Sequence, residues 1–185
     1  GEQPLTNEQF FARLGQRIIH ILSTRTASGT LYEVDMRLRP SGNSGLLVAS
    51  CDSFARYQAE SAWVWEHQAL VRARPVAGSA ALAEQFAVVR HEVLCRARDR
   101  TELAREVHAM RAKMHAHLGS GMEAKNAGMF DLKQDAGGIV DIEFMVQYWV
   151  LRWAHDHPGL TRHTENIQLL EALKAEGLLE PARAE

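Results

Sequence analysis

Thr30-Leu31-Tyr32-Glu33-Val34-Asp35-Met36-Arg37-Leu38-Arg39-Pro40 is the stretch on which the reading of this chain turns. Its period is two. Tyr32, Val34, Met36 and Leu38 fall on one side of an extended chain, and Glu33, Asp35, Arg37 and Arg39 on the other. Pro40 ends the run because it cannot donate to a ladder. Ser41-Gly42-Asn43-Ser44-Gly45 then reads as a turn and Leu46-Leu47-Val48-Ala49 as a short return strand. A hairpin is therefore expected over residues 30–49. Two strands are marginal alone in water, so this sheet is expected to want strands that the chain does not contain.

On either side of that stretch helical signals dominate. Thr6-Asn7-Glu8-Gln9 reads as a capping box, and Phe10, Leu14, Ile18 and Ile21 recur at helical spacing, which predicts a helix over 7–23. Residues 24–29 break the period and are expected to form a loop. Past Ser50 or Asp52 as cap, Phe54, Tyr57, Trp63, Trp65 and Leu70 predict one helix over 53–73. Leu82, Phe86, Val89 and Val93 mark the next. Asp99-Arg100-Thr101-Glu102 caps a third, with Leu103, Val107, Met110 and Met114 as its inner face. The glycine-rich segment 119–138 reads as a long loop. Two last helices are expected at roughly 139–156 and 164–176. The fold class is α+β, predominantly helical.

The chain has 185 residues with 46 % apolar content, enough for one ordinary domain or two small layers. Its 21 Lys and Arg against 23 Asp and Glu leave a net charge of -2. That balance carries no global footprint for nucleic acid or an anionic membrane, and neither is expected as a partner. Cys51 and Cys95 stand far apart with no Cys-x-x-Cys pairing, which fits a reducing, cytoplasmic setting. No apolar run approaches the length of a membrane span.

Four ionisable side chains on one strand face have two readings. In the first they are a solvated face making cross-strand pairs. In the second the strand lines a site for a metal and a triphosphate. Asp35 would then bind a hard cation through oxygen, and Arg37 and Arg39 would take phosphate charge on their planar donor forks.

Longer blocks carry a resemblance. The segment from Leu31 to Gly42, then Gly45-Leu46-Leu47-Val48, then the run from Trp65 to Arg74, closely resemble the bifunctional glutamine synthetase adenylyltransferase/adenylyl-removing enzymes. Asp131-Leu132-Lys133 with the run from Gly137 to Phe144 is similar to the same family. The phrase from Ala62 to Leu70 looks like the C-terminal, adenylylating half. The resemblance implies a polymerase-β-like nucleotidyltransferase sheet followed by a helical-bundle domain, here 1–78 and 79–185. It also implies transfer of AMP from ATP to a tyrosine of glutamine synthetase, with Mg2+ as cofactor and a PII-type nitrogen signal protein as a further partner.

In that family a Gly-Ser turn and an Asp-x-Asp pair precede a third carboxylate, and Asp35 matches the third. Nothing among the 34 residues before Asp35 supplies the turn or the pair. Glu33-Val34-Asp35 has the spacing of the pair, but its place before Arg37-Leu38-Arg39-Pro40 matches the third-carboxylate block. The sequence is therefore expected to begin within the nucleotidyltransferase domain, and to be inactive by itself.

Lys133, Gly137, Gly138, Asp141 and Glu143 form a second candidate group for nucleotide binding. Two glycines before a helix let backbone approach a ligand, and a helix start favours anions. Lys133 could reach a phosphate of ATP, and Asp141 and Glu143 could contact adenine or ribose or brace Arg72 and Arg74. The plainer reading is that the glycines end a loop and the carboxylates cap a helix. The Trp63/Trp65 pair and the Met110/Met114 stripe read as core packing, and Glu66 and His67 as solvated. A docking module for glutamine synthetase or a PII-type protein, or part of the adenylyl-removing half, are the alternatives to the transferase reading.

Overall fold

Thr6 opens the first helix as its spacing demands: the Gln9 amide donates to its hydroxyl (3.3 Å) while the Gln9 side chain accepts from the Thr6 N–H (3.2 Å). The computed structural model describes residues 4–121 and 128–179. Part of the 119–138 loop and the last residues thus lie outside the described residues. Helix α1 runs Asn7–Ser23. Its Phe10, Leu14, Ile18 and Ile21 face solvent rather than a core. The chain divides into two compact units, Gly1–Ser61 and Ala62–Glu185.

In the first unit the hairpin sits earlier than its pattern predicts. β1 (Arg25–Thr26) pairs antiparallel with β2 (Gly29–Thr30), through a turn that uses the positive φ of Gly29. The expected strand over 30–39 and its return at 46–49 do not form. A local bond explains much of this: the Arg37 N–H donates to Asp35 Oδ1 at 2.8 Å, an Asx-type turn that competes with a ladder. Residues 42–44 then make a 3-10 turn, and the Gly42 N–H closes onto the Arg39 carbonyl at 2.8 Å. Leu47 and Val48 instead lie on Gly15 of α1, where a β-carbon would come within 3.1 Å of the Val48 side chain.

The single helix expected over 53–73 is two. α2 spans Cys51–Glu60 under a Ser50 cap, and α3 spans Val64–Arg72. The break has a chemical cause, since the Trp63 N–H donates back to the Glu66 carboxylate at 2.9 Å and so starts a new helix. This overturns three expectations. Trp63 is 69 % exposed rather than core, whereas Glu66 and His67 are only 6 % and 5 % exposed.

The second unit is helical throughout its described residues. α4 (Ala80–Leu94) starts at Ser79, whose hydroxyl accepts from the Leu82 N–H, and α5 (Arg100–Leu118) at Asp99, which accepts from the Glu102 N–H. α6 (Ile139–Trp153) is the hub, packed against α3, α5 and α7 (Asn166–Ala175). Val71, Leu94, Val146, Val150, Leu151 and Leu169 are fully enclosed between these helices. In the described residues the architecture is predominantly helical with one small two-stranded antiparallel sheet. Among the described residues no helix is long and apolar enough to cross a membrane.

Candidate functional site

The two groups singled out in the sequence fall in different units. In the first unit Asp35 and Arg37 are both exposed and bound to each other. Arg37 Nη2 lies 2.6 Å from Asp35 Oδ2, and its Nε donates at 3.0 Å. The Arg37 side chain, and then its backbone N–H, hold the Asp35 carboxyl at about 2. Arg39 is spent locally, donating to the Met36 carbonyl at 2.7 Å. Asp35 is thus an ionised, accessible oxygen donor, which suits a hard divalent cation. A full oxygen shell needs more such donors. Among the described residues no cluster of three or more His, Cys, Asp or Glu side chains gathers that could hold an ion.

In the second unit the 131–141 turn is built almost wholly from internal bonds. Asp131 Oδ1 accepts from the Lys133 and Gln134 amides (2.8 and 3.0 Å). Buried Asp135 accepts from the Ser120 and Asp131 amides (2.7 and 2.9 Å). The Ile139 and Val140 amides return to the carbonyls of Leu132 and Lys133 (2.8 and 3.1 Å). The Gly138 amide meets the Asp135 carbonyl at 2.9 Å, and the Asp141 amide the Gly138 carbonyl at 3.0 Å. No amide from Gly137 to Asp141 is left open for an anion: Gly137 turns the chain at φ +86°, and Gly138 permits close approach of the chain to itself. A β-carbon on Gly138 would fall 2.6 Å from the Leu132 carbonyl oxygen. Lys133 remains exposed at the surface of this turn.

The two carboxylates on α6 both hold arginines. Glu143 pairs with Arg72 of α3. Asp141 accepts the Gly137 N–H at 2.6 Å and pairs with Arg111 of α5, and these two contacts, in that order, keep its carboxyl below the usual range. Bracing of Arg72 is therefore observed for Glu143, while Arg74 stays exposed. A groove of about 360 Å3 opens between α5 and α6 beside the Arg111–Asp141 pair, walled by Val107, His108, Phe144 and Tyr148.

Two arginines escaped the sequence reading. Arg111 lies thirty residues from Asp141, and no local pattern marks it. Arg90 is buried on α4 and donates to the carbonyls of Leu70 (2.7 Å), Val71 (2.6 Å), Thr161 and His163. Its position on a helix with apolar neighbours is the one signal that could have marked it, because a buried charge must find acceptors.

Fold and side chains together define a helical protein with two charged groups, one led by an ionised aspartate and one by an exposed lysine. Sequence comparison supplies the family. The profile of glutamate-ammonia ligase adenylyltransferases matches residues 1–89. The chain is 58 % identical over 97 % of its length to the bifunctional glutamine synthetase adenylyltransferase/adenylyl-removing enzyme of Pseudomonas syringae pv. tomato. It is 56 % identical over 96 % of its length to that of Hahella chejuensis, and 54 % identical over 100 % to that of Vibrio parahaemolyticus. In all three the chain spans 19 % of the relative's own length. The chain belongs to the glutamine synthetase adenylyltransferase family, a family of transferases, and corresponds to about a fifth of these larger enzymes.

Proposed function

We propose that this chain is part of a cytoplasmic enzyme that transfers AMP from ATP to a tyrosine hydroxyl of glutamine synthetase, within the adenylylating half. The observation that carries the reading is Asp35, an exposed carboxylate held ionised by Arg37 within a segment 54–58 % identical to the family's enzymes. Residues 1–78 are taken as the end of a polymerase-β-like nucleotidyltransferase domain and 79–185 as a helical domain. A PII-type protein is taken as a regulatory partner.

In this reading the tyrosine oxygen attacks the α-phosphorus of ATP and pyrophosphate leaves. Mg2+, when bound, supplies charge neutralisation at the transferring phosphate. Asp35 would hold it, with the remaining ligands drawn from the longer protein. Arg37 exchanges its carboxylate partner for phosphate oxygens as the nucleotide arrives, and Arg39 adds positive charge beside it. Lys133 offers an ammonium to the nucleotide, and Gly137, Gly138, Asp141 and Glu143 shape the element that carries it.

The test is Asp35→Asn in the full-length enzyme. Adenylylation of glutamine synthetase should fall on the order of a hundredfold or more, because a metal ligand supports several kcal/mol of transition-state stabilisation. The melting temperature should fall only slightly, because the lost pair with Arg37 is exposed to solvent. Retained activity would remove Asp35 from the site.

A further inference from the structure

Lys133 carries its charge on a turn that its own hydrogen bonds close and that a side chain of another helix braces from outside. Its own amide and carbonyl are both bonded within the turn, to Asp131 Oδ1 and to the Val140 N–H. Besides the Ser120 amide on Asp135 and the first amides of α6, a side chain ties that turn to the helical body, Arg111 of α5. Its Nη2 donates to the carbonyl of Gln134, the residue after Lys133, at 2.8 Å. Its Nε donates to Asp141 Oδ1, and Asp141 Oδ2 takes the Gly137 N–H at 2.6 Å. One guanidinium therefore holds both arms of the turn. The Arg111 side chain is only 13 % exposed. Its Nη1 is buried and makes no hydrogen bond among the described residues, so the group sits there at a desolvation cost.

We propose that Arg111 is a positioning residue that fixes the 131–141 turn in the form presenting the Lys133 ammonium to the phosphates of the nucleotide. This rests on the reading of Lys133 as a nucleotide contact. The planar fork matters here. A lysine at 111 could satisfy the carbonyl or the carboxylate, but its single nitrogen cannot bridge them with the same fixed geometry.

The experiment is steady-state kinetics against ATP in the full-length enzyme, with glutamine synthetase as acceptor. The variants are Lys133→Ala, Arg111→Ala, Arg111→Lys and the Lys133→Ala/Arg111→Ala pair. Lys133→Ala should raise KM for ATP about tenfold with kcat little changed, the loss expected for one charge-assisted contact. Arg111→Ala should raise KM in the same way and to a smaller extent, and Arg111→Lys should recover part of the loss. The double variant should be no worse than Lys133→Ala alone, because Arg111 acts through Lys133. Additive effects would overturn the positioning role and leave Lys133 as a contact. An unchanged KM in Lys133→Ala would overturn the nucleotide reading of this turn and the inference with it. If Arg111→Ala lowers the folded yield, Asp141→Asn loosens the same clamp at constant shape. It should raise KM only where Lys133 is present, and an equal rise in both backgrounds would count against the inference.

Discussion

Arg72 at the end of α3 and Glu143 in the first half of α6 form an ion pair of 2.5 Å, and the same guanidinium reaches Glu165 at 3.4 Å. The pair joins two helices across the centre of the second unit, and both side chains are about a third exposed. Solvent therefore screens much of the attraction. A double-mutant cycle on Arg72→Ala and Glu143→Gln, read by thermal denaturation, should return a coupling of about 0.5–1 kcal/mol. A coupling near zero would make the pair a surface coincidence.

Arg90 is a different matter, because it is buried and its acceptors are carbonyls rather than a carboxylate. Burial pushes its pKa down. The side chain ties the last turn of α3 to the 3-10 turn Pro158–Arg162 and to His163. Arg90→Met keeps the apolar stem and leaves those carbonyls without their donor. It should cost about 3 kcal/mol in urea denaturation, with Arg90→Lys intermediate. Equal stability of Arg90→Met and the parent would mean that water replaces the guanidinium freely.

How far the sequence could be read depended on the range of the interactions. The Thr6/Gln9 box and Asp99 each act within one helical turn, and the helices they start appear where their residues place them. The 30–39 run failed because alternation is only a permissive condition for a strand. A ladder partner is non-local, and the Asp35–Arg37 contact, two residues apart, was available at once. The α2/α3 break turned on Glu66 reaching back to the Trp63 amide, a contact that a continuous apolar pattern hides. Asp35 and Arg37 as neighbours were legible. Arg72 with Glu143 was legible as one option for that carboxylate, whereas Arg111 with Asp141 was not, because only the packing of α5 on α6 brings those two together.

The two glycines before α6 should respond differently to alanine. Gly137 has φ +86° with open space around it, so Gly137→Ala carries only the left-handed backbone penalty, about 1 kcal/mol. Gly138 has an ordinary φ but is overlaid by backbone oxygens of Leu132 and Asp135, at 2.6 and 2.9 Å from an added β-carbon. Those atoms belong to the bonded turn and cannot swing away. Gly138→Ala should cost more, about 3 kcal/mol. Urea midpoints in the reverse order would show that the turn yields.

The 185-residue chain alone should not label glutamine synthetase from ATP. Its sequence contains no Asp-x-Asp pair, and among the described residues no three His, Cys, Asp or Glu side chains gather that could hold a metal ion. Incorporation of labelled adenylate by the purified chain would place a complete transfer machinery within these residues.

Asp35 itself offers a direct test by titration. Its carboxyl is held at about 2, first by the hydrogen bonds of the Arg37 side chain and then by the Arg37 backbone N–H. An unfolded aspartate titrates near 3.9 by model-peptide values. The folded value is the lower one, so the contact adds to stability above the unfolded pKa. That contribution fades as pH falls from about 4 and is gone once pH passes below about 2. Because both groups are exposed, salt should weaken the effect. Carboxyl carbon shifts followed by NMR should therefore place the Asp35 midpoint near 2. In Arg37→Gln the midpoint should move up toward about 3.9, and added salt should move it the same way in the parent chain. A midpoint near the peptide value in the parent would mean that Arg37 does not hold the carboxylate in solution. The Asx-type turn that replaces the expected strand would then lose its main support.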